Sequence, residues 1–98
     1  MAGENLILAS EFCSRLNIEI SFIQSLQEYG LIEVMTIEGS GFIEEEQLED
    51  IEKMVRLHYD LQINLEGIDA IHHLLEQMKD LQHQMASLKN RLRLYEQV

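Results

Sequence analysis

RLNIEISFIQSLQEYGLIE, residues 15–33, is the stretch that decides the fold. Asn17 follows a run whose Phe12, Cys13 and Leu16 can face inward on one short helix. Asn tolerates the left-handed conformation that tight helix-to-helix turns use, so the helix stops there. Its start falls at Ser10, whose oxygen can cap, with Glu11 next to the positive helix end. A second helix is predicted over about Glu19–Tyr29, with Phe22, Ile23 and Leu26 on the buried stripe and Gly30 ending it. Two short helices separated by so brief a turn form a helix-turn-helix pair.

Outward from this pair, the N-terminal NLILA (Asn5–Ala9) is apolar and β-compatible, and predicts a short strand. On the other side LIEVMTIEGSGFI, residues 31–43, is rich in β-branched side chains. Glu38–Gly41 interrupts it as a turn, so the segment predicts a two-stranded hairpin, or wing, from Leu31 to Ile43. A third helix is expected from Glu44 to Gln62. Leu48, Ile51, Val55, Tyr59 and Gln62 fall near one face of it, with Met54, His58 and Leu61 beside them.

From Asn64 to Val98 the chain reads as one long helix. Asn64 is its N-cap, and Ile63 and Ile68 stand at the two positions of a hydrophobic staple. Glu66 and Asp69 lie in the first turns and Lys89, Arg91 and Arg93 near the far end, both complementing the macrodipole. Ile71, Leu74, Met78, Leu81, Met85, Leu88, Leu92 and Tyr95 are spaced alternately by three and four residues, which is an unbroken heptad seam. Such a rod is roughly 46 Å long, whereas a compact chain of this size has a radius of gyration of about 13 Å. The early seam, Ile71–Met78, can pack partly on the protein's own first domain, but Leu81–Tyr95 lies too far away. A second copy is the simplest partner, so these eight residues are the expected homodimer interface. The chain divides into a domain of residues 1–63 and a dimerisation helix of residues 64–98.

Composition sets the class of function. The 98 residues are 46% hydrophobic and 26% charged, a folded profile without room for a large enzyme core. The net charge of -11 is unevenly placed. Residues 1–60 hold 13 acidic and 3 basic side chains, and residues 61–98 hold 5 and 4. A strongly acidic domain repels phosphate backbones and attracts basic surfaces. The candidate contact residues are Glu44, Glu45, Glu46, Glu49, Asp50 and Glu52, with Glu19 and Glu28 as outliers. No apolar run reaches the roughly 20 residues of a membrane span, and no signal peptide is visible. The single Cys13 fits a reducing compartment, so the expected location is cytoplasmic. His58, His72, His73 and His83 lack the spacing of a metal site, although His72 and His73 can pair with Asp69 or Glu76. There is no phosphate loop, nucleophile–base set or cofactor motif, and no catalysis is expected.

Helix-turn-helix, wing, helix and terminal coiled coil is the layout of MerR-type winged-helix regulators. The sequence resembles them in residues 15–33 and in RLHYDLQINLEGIDAI, residues 56–71. The resemblance implies a mainly α MerR-like winged helix-turn-helix fold with a small β-hairpin wing and a long coiled-coil helix, paired antiparallel. Those regulators hold DNA phosphates with Arg and Tyr on the second helix and Arg on the wing. This chain has Ser21, Gln24 and Ser25 on that helix and Ser40, Phe42 and Ile43 on the wing. Within the group it is similar to the chaperone-modulator family CbpM. The similarity runs through Glu11-Phe12-Cys13, the acidic stretch after the wing, and VRLHYDLQINLEGIDAIHHLLEQM (residues 55–78). That resemblance implies binding to the J-domain of a CbpA-type co-chaperone, restraining its stimulation of a DnaK chaperone and its DNA binding. The alternative is a MerR-type DNA-binding transcription regulator.

Overall fold

The computed structural model of the protein describes residues 5–96. It is mainly helical, with a small sheet beside the helix-turn-helix and a long final helix. The chain runs β1 (Leu6–Leu8), α1 (Ala9–Leu16), α2 (Ile20–Glu28), β2 (Met35–Ile37), β3 (Ser40–Glu44), α3 (Leu48–Val55) and α4 (Leu65–Glu96). The expected helix continuation to Val98 lies partly outside the described residues.

Both helices of the pair close in the same way. Asn17 adopts φ 58°, its N–H donates to Ser14 carbonyl at 3.2 Å, and Ile18 N–H donates to Cys13 carbonyl at 3.0 Å. Gly30 adopts φ 75°, its N–H donates to Gln27 carbonyl at 2.9 Å, and Leu31 N–H donates to Leu26 carbonyl at 3.0 Å. Each is a Schellman motif, which satisfies carbonyls that a helix end leaves orphaned. The start of α1 departs from expectation. The helix begins at Ala9, Leu8 is its cap, and no side chain caps it. Ala9 is buried in the core, which draws the first turn forward and leaves Ser10 inside the helix, exposed.

The wing is narrower than the Leu31–Ile43 segment. Leu31 and Ile32 are buried in a bend, and the hairpin turns through Glu38 and Gly39 at φ 50° and 83°. Two successive left-handed residues suit the right-handed twist of a tight hairpin. The bend is fastened by Gln47, whose Oε1 accepts from Glu33 N–H at 2.8 Å and whose Nε2 donates to Glu33 carbonyl at 2.9 Å. β1 joins the hairpin, giving an antiparallel three-stranded sheet in the order β1-β3-β2. Leu6 pairs with Glu44, Ile7 with Ile43 and Leu8 with Phe42, while Met35, Thr36 and Ile37 pair with Phe42, Gly41 and Ser40.

The expected helix from Glu44 to Gln62 is broken into three pieces. Glu44 belongs to β3, and Glu45 N–H donates to Asn5 carbonyl at 2.8 Å, so the sheet has captured its first turn. A 3-10 turn, Glu45–Gln47, then leads into α3. Beyond Val55 the backbone widens to a π-helical turn over Arg56–Asp60 and stops at Gln62, φ 57°. That rotation turns Tyr59, Leu61 and Gln62 outward, so they are exposed and not on the buried stripe. Ile51, expected on that face, and Met54 beside it are buried as the pattern predicts.

The core draws on every layer: Phe12 and Cys13 from α1, Phe22, Ile23 and Leu26 from α2, Ile43, Ile51, Met54, and Ile68 from α4. Ile68 is fully buried, so the base of α4 is fixed to the helix-turn-helix. Asn64 caps α4 as expected, its Oδ1 accepting from Gly67 N–H at 2.8 Å. The longest dimension is 60 Å and the radius of gyration 17.8 Å, above the roughly 13 Å of a compact chain of this length. The difference is the projecting rod.

Candidate functional site

The helix-turn-helix presents α2 outward as its second helix, the one that enters a DNA groove in this motif. Phe22, Ile23 and Leu26 anchor its inner side, leaving Ile20, Ser21, Gln24, Gln27 and Glu28 exposed. Of these, Ile20, Gln24 and Gln27 border, with Thr36, Ser40 and Gly41 of the wing, a cleft of about 440 Å³ lined by hydroxyl, amide and aliphatic groups. The cations of residues 1–60 are Arg15, Lys53 and Arg56, and none lies on α2 or the hairpin. Glu19 and Glu28 stand instead at opposite ends of α2, and Glu38 is at the wing tip. This is the opposite charge from a phosphate grip.

The candidate acids Glu44–Glu52 are carried by the junction from β3 into α3. Glu44 ends β3, half-buried, and Glu45 and Glu46 are exposed on the 3-10 turn. Glu49, Asp50 and Glu52 are exposed around α3, whose inner side is held by Ile51 and Met54. Glu44, Glu45 and Glu46 make an acidic ridge that leads into α3, where the other three are spread around the helix with Lys53 among them, and no ion pair neutralises them among the described residues. Glu19 and Glu28 are on another element. The Glu19 carboxylate accepts from Ser21 Oγ at 3.2 Å, and its backbone N–H points to Tyr59 Oη at 3.5 Å.

A second polar cluster fastens α4 to α2, and sequence reasoning found only half of it. Tyr29 Oη donates to Glu66 Oε2 at 3.0 Å, and this bond, with the surrounding carboxylates, raises the phenol's pKa. One turn on, His73 Nδ1 donates to Asp69 carbonyl at 2.8 Å, and Asp69 Oδ1 lies 3.2 Å from the same nitrogen. A carbonyl can only accept, so Nδ1 carries the proton. Both groups hold the His73 pKa above its ordinary value, the carbonyl contact first. His72 Nε2 lies 3.8 Å from Glu76 Oε2, the other expected pairing. His58 is stacked on Phe22 at 4.6 Å between ring centroids, with Nδ1 donating to Ile63 carbonyl at 2.9 Å. Tyr29 and Glu66 lie 37 positions apart, so no local spacing announces their contact.

The seam residues are placed along α4 as the heptads require. Ile71 is half-buried at the base, beside an apolar groove of about 240 Å³ between α3 and α4. Leu74, Met78, Leu81, Met85, Leu88 and Leu92 are each 53–60% exposed and Tyr95 is 82% exposed. Every residue from His73 to Glu96 is exposed. No helix among the described residues is long and apolar enough to cross a membrane.

Comparison with known proteins agrees with this architecture. A family model described as "MerR HTH family regulatory protein" matches residues 7–90. No curated protein and no solved structure matches the chain significantly. The match spans the strand, both helices of the turn motif, the wing, α3 and most of the rod, and the chain belongs to the MerR helix-turn-helix family of regulatory proteins.

Proposed function

We propose that this MerR-family chain is a protein-binding regulator of the CbpM type, which masks the J-domain of a CbpA-type co-chaperone with its acidic half. The single observation carrying this reading is the charge of the surface: Glu45, Glu46, Glu49, Asp50 and Glu52 are exposed, while α2 and the wing bear acids and no cations. A J-domain uses a basic helical face to engage its DnaK-type partner. An acidic ridge competes for that face by complementary charge, which governs encounter and specificity. The action is competitive occlusion, and it also denies the co-chaperone its DNA-binding surface.

Two copies act together in this reading. Among the described residues, the seam from Leu81 to Tyr95 is an apolar stripe beyond the groove that α4 shares with α3, and pairing would remove it from water. Antiparallel pairing sets Lys89, Arg91 and Arg93 of one copy near the acidic domain of the other. It also separates the two acidic halves, which a parallel pair would press together.

Pull-down of a purified CbpA-type J-domain tests the reading against its rival, a DNA-binding regulator, which family membership alone would favour. Retention of the J-domain at low salt is expected, with no gel shift of duplex DNA at about 100 mM salt. Failure to retain the J-domain would overturn the proposal, and a DNA shift would establish the rival.

A further inference from the structure

The sheet has two faces, and only one of them belongs to the core. Residues paired across antiparallel strands point the same way, and successive residues alternate. Ile7 and Ile43 therefore share the inner face, where Ile43 is fully buried. Gly41 also faces inward, since a Cβ there would stand 3.0 Å from Val34 Cγ1. The register then places Leu6, Leu8, Phe42, Met35 and Ile37 together on the outer face, with Glu44 at its end opposite Leu6. None of these five apolar residues belongs to the core cluster or packs against it. Leu6, Leu8 and Phe42 are half-buried by one another and their surroundings, while Met35 and Ile37 remain 39% and 42% exposed.

We infer that this outer sheet face is the apolar half of the partner site and receives a basic amphipathic helix. On the reading above, which the inference rests on, that helix belongs to the J-domain. The occupant is chosen by charge. Glu44 lies on the apolar face itself and begins the ridge that continues through Glu45 and Glu46. One side of the site is greasy and the adjoining side is anionic, which complements a helix with an apolar stripe flanked by Lys and Arg. The dimensions agree. The row Leu8–Phe42–Met35 crosses two strand spacings, about 10 Å, which is the width of a helix. Leu6 and Leu8 are about 7 Å apart along the strand, close to the roughly 6 Å between helical positions four apart.

Binding of a purified CbpA-type J-domain to the full chain tests this across a salt series. Met35→Gln with Ile37→Thr keeps charge and strand propensity and removes apolar surface. This double variant is expected to weaken binding about tenfold at every salt concentration, since both side chains are only part-exposed before docking. Glu44→Gln should instead flatten the salt dependence. Methyl NMR of the unaltered chain gives a readout independent of substitution: the Met35 and Ile37 methyl signals should move when the J-domain is added. If the J-domain binds, but the double variant binds as tightly as the unaltered chain and those methyls stay put, the inference is wrong and the proposed function stands. If the unaltered chain does not bind at all, both fall. If the double variant loses self-association and keeps J-domain binding, the face pairs with a second copy and the inference is overturned.

Discussion

A few polar contacts decide how the rod leaves the helix-turn-helix. Tyr29 and Glu66 tie the end of α2 to the first turn of α4, and Asp69 and His73 follow on the next turn. Because Asp69 raises the His73 pKa through both its carbonyl and its carboxylate, Asp69→Asn should lower the His73 midpoint in an NMR titration of the ring protons. The linked effect on stability has a definite sign. A folded-state His pKa above the unfolded value contributes stability that is fully present below the unfolded pKa. It is lost as pH rises through the raised folded value. Thermal melts of the unaltered chain should decline over that window, and those of Asp69→Asn should be flatter there. The effect is small because His73 is solvent-exposed, where screening weakens ion pairs. A steeper decline in the variant would show that another group controls it.

Among the elements, the base of α4 depends on a tight fit at Gly67. Replacing a helical Gly by Ala normally stabilises by about 1 kcal/mol. Here a Cβ on Gly67 would stand 2.6 Å from Ile63 Cγ2 and 3.1 Å from the capping Asn64 Oδ1. Ile63 is β-branched and cannot easily turn aside. Gly67→Ala should therefore destabilise by roughly 1–2 kcal/mol in urea denaturation, an overpacking cost. Asn64→Ala should cost about 1 kcal/mol through the lost cap. A stabilised Gly67→Ala would mean that Ile63 gives way freely. The same scale shows what was legible beforehand. Asn17, Gly30 and Asn64 announce their helix boundaries because each role is local and suits few residue types. The widening over Arg56–Asp60 was hidden, since RLHYD has ordinary helix formers and the break comes from packing His58 on Phe22 and closing at Gln62. The third strand was hidden in its pairing. NLILA reads as β-compatible, but nothing nearby says that Leu6 will oppose Glu44, 38 positions on. Of the candidate site, the acidic ridge was readable as composition, whereas the apolar face beside it follows only from that long-range register.

Across the whole molecule, a 32-residue helix stands out from a small core and buries nothing of its own beyond its first turns. Most helical stability in proteins comes from a packed apolar face, which a second copy would supply here. Replacing Leu81 and Met85 by Glu should yield monomers in sedimentation equilibrium, with lower helicity by circular dichroism and a core that still melts cooperatively. An unchanged dimer would place the interface elsewhere. The division of charge is the other feature at this scale: a nearly neutral rod joined to an acidic domain. That domain belongs to a helix-turn-helix family of regulatory proteins, yet α2 and the wing lack the cations that hold phosphate. The central claim is that this domain binds a basic protein surface, and calorimetric titration of a CbpA-type J-domain into the full chain, at rising salt, tests it most directly. The account predicts saturable binding that weakens steadily as salt screens the charges, and that is lost when Glu45, Glu46 and Glu49 are replaced by Lys. Absence of binding at low salt, or full-strength binding by the charge-reversed chain, would contradict it.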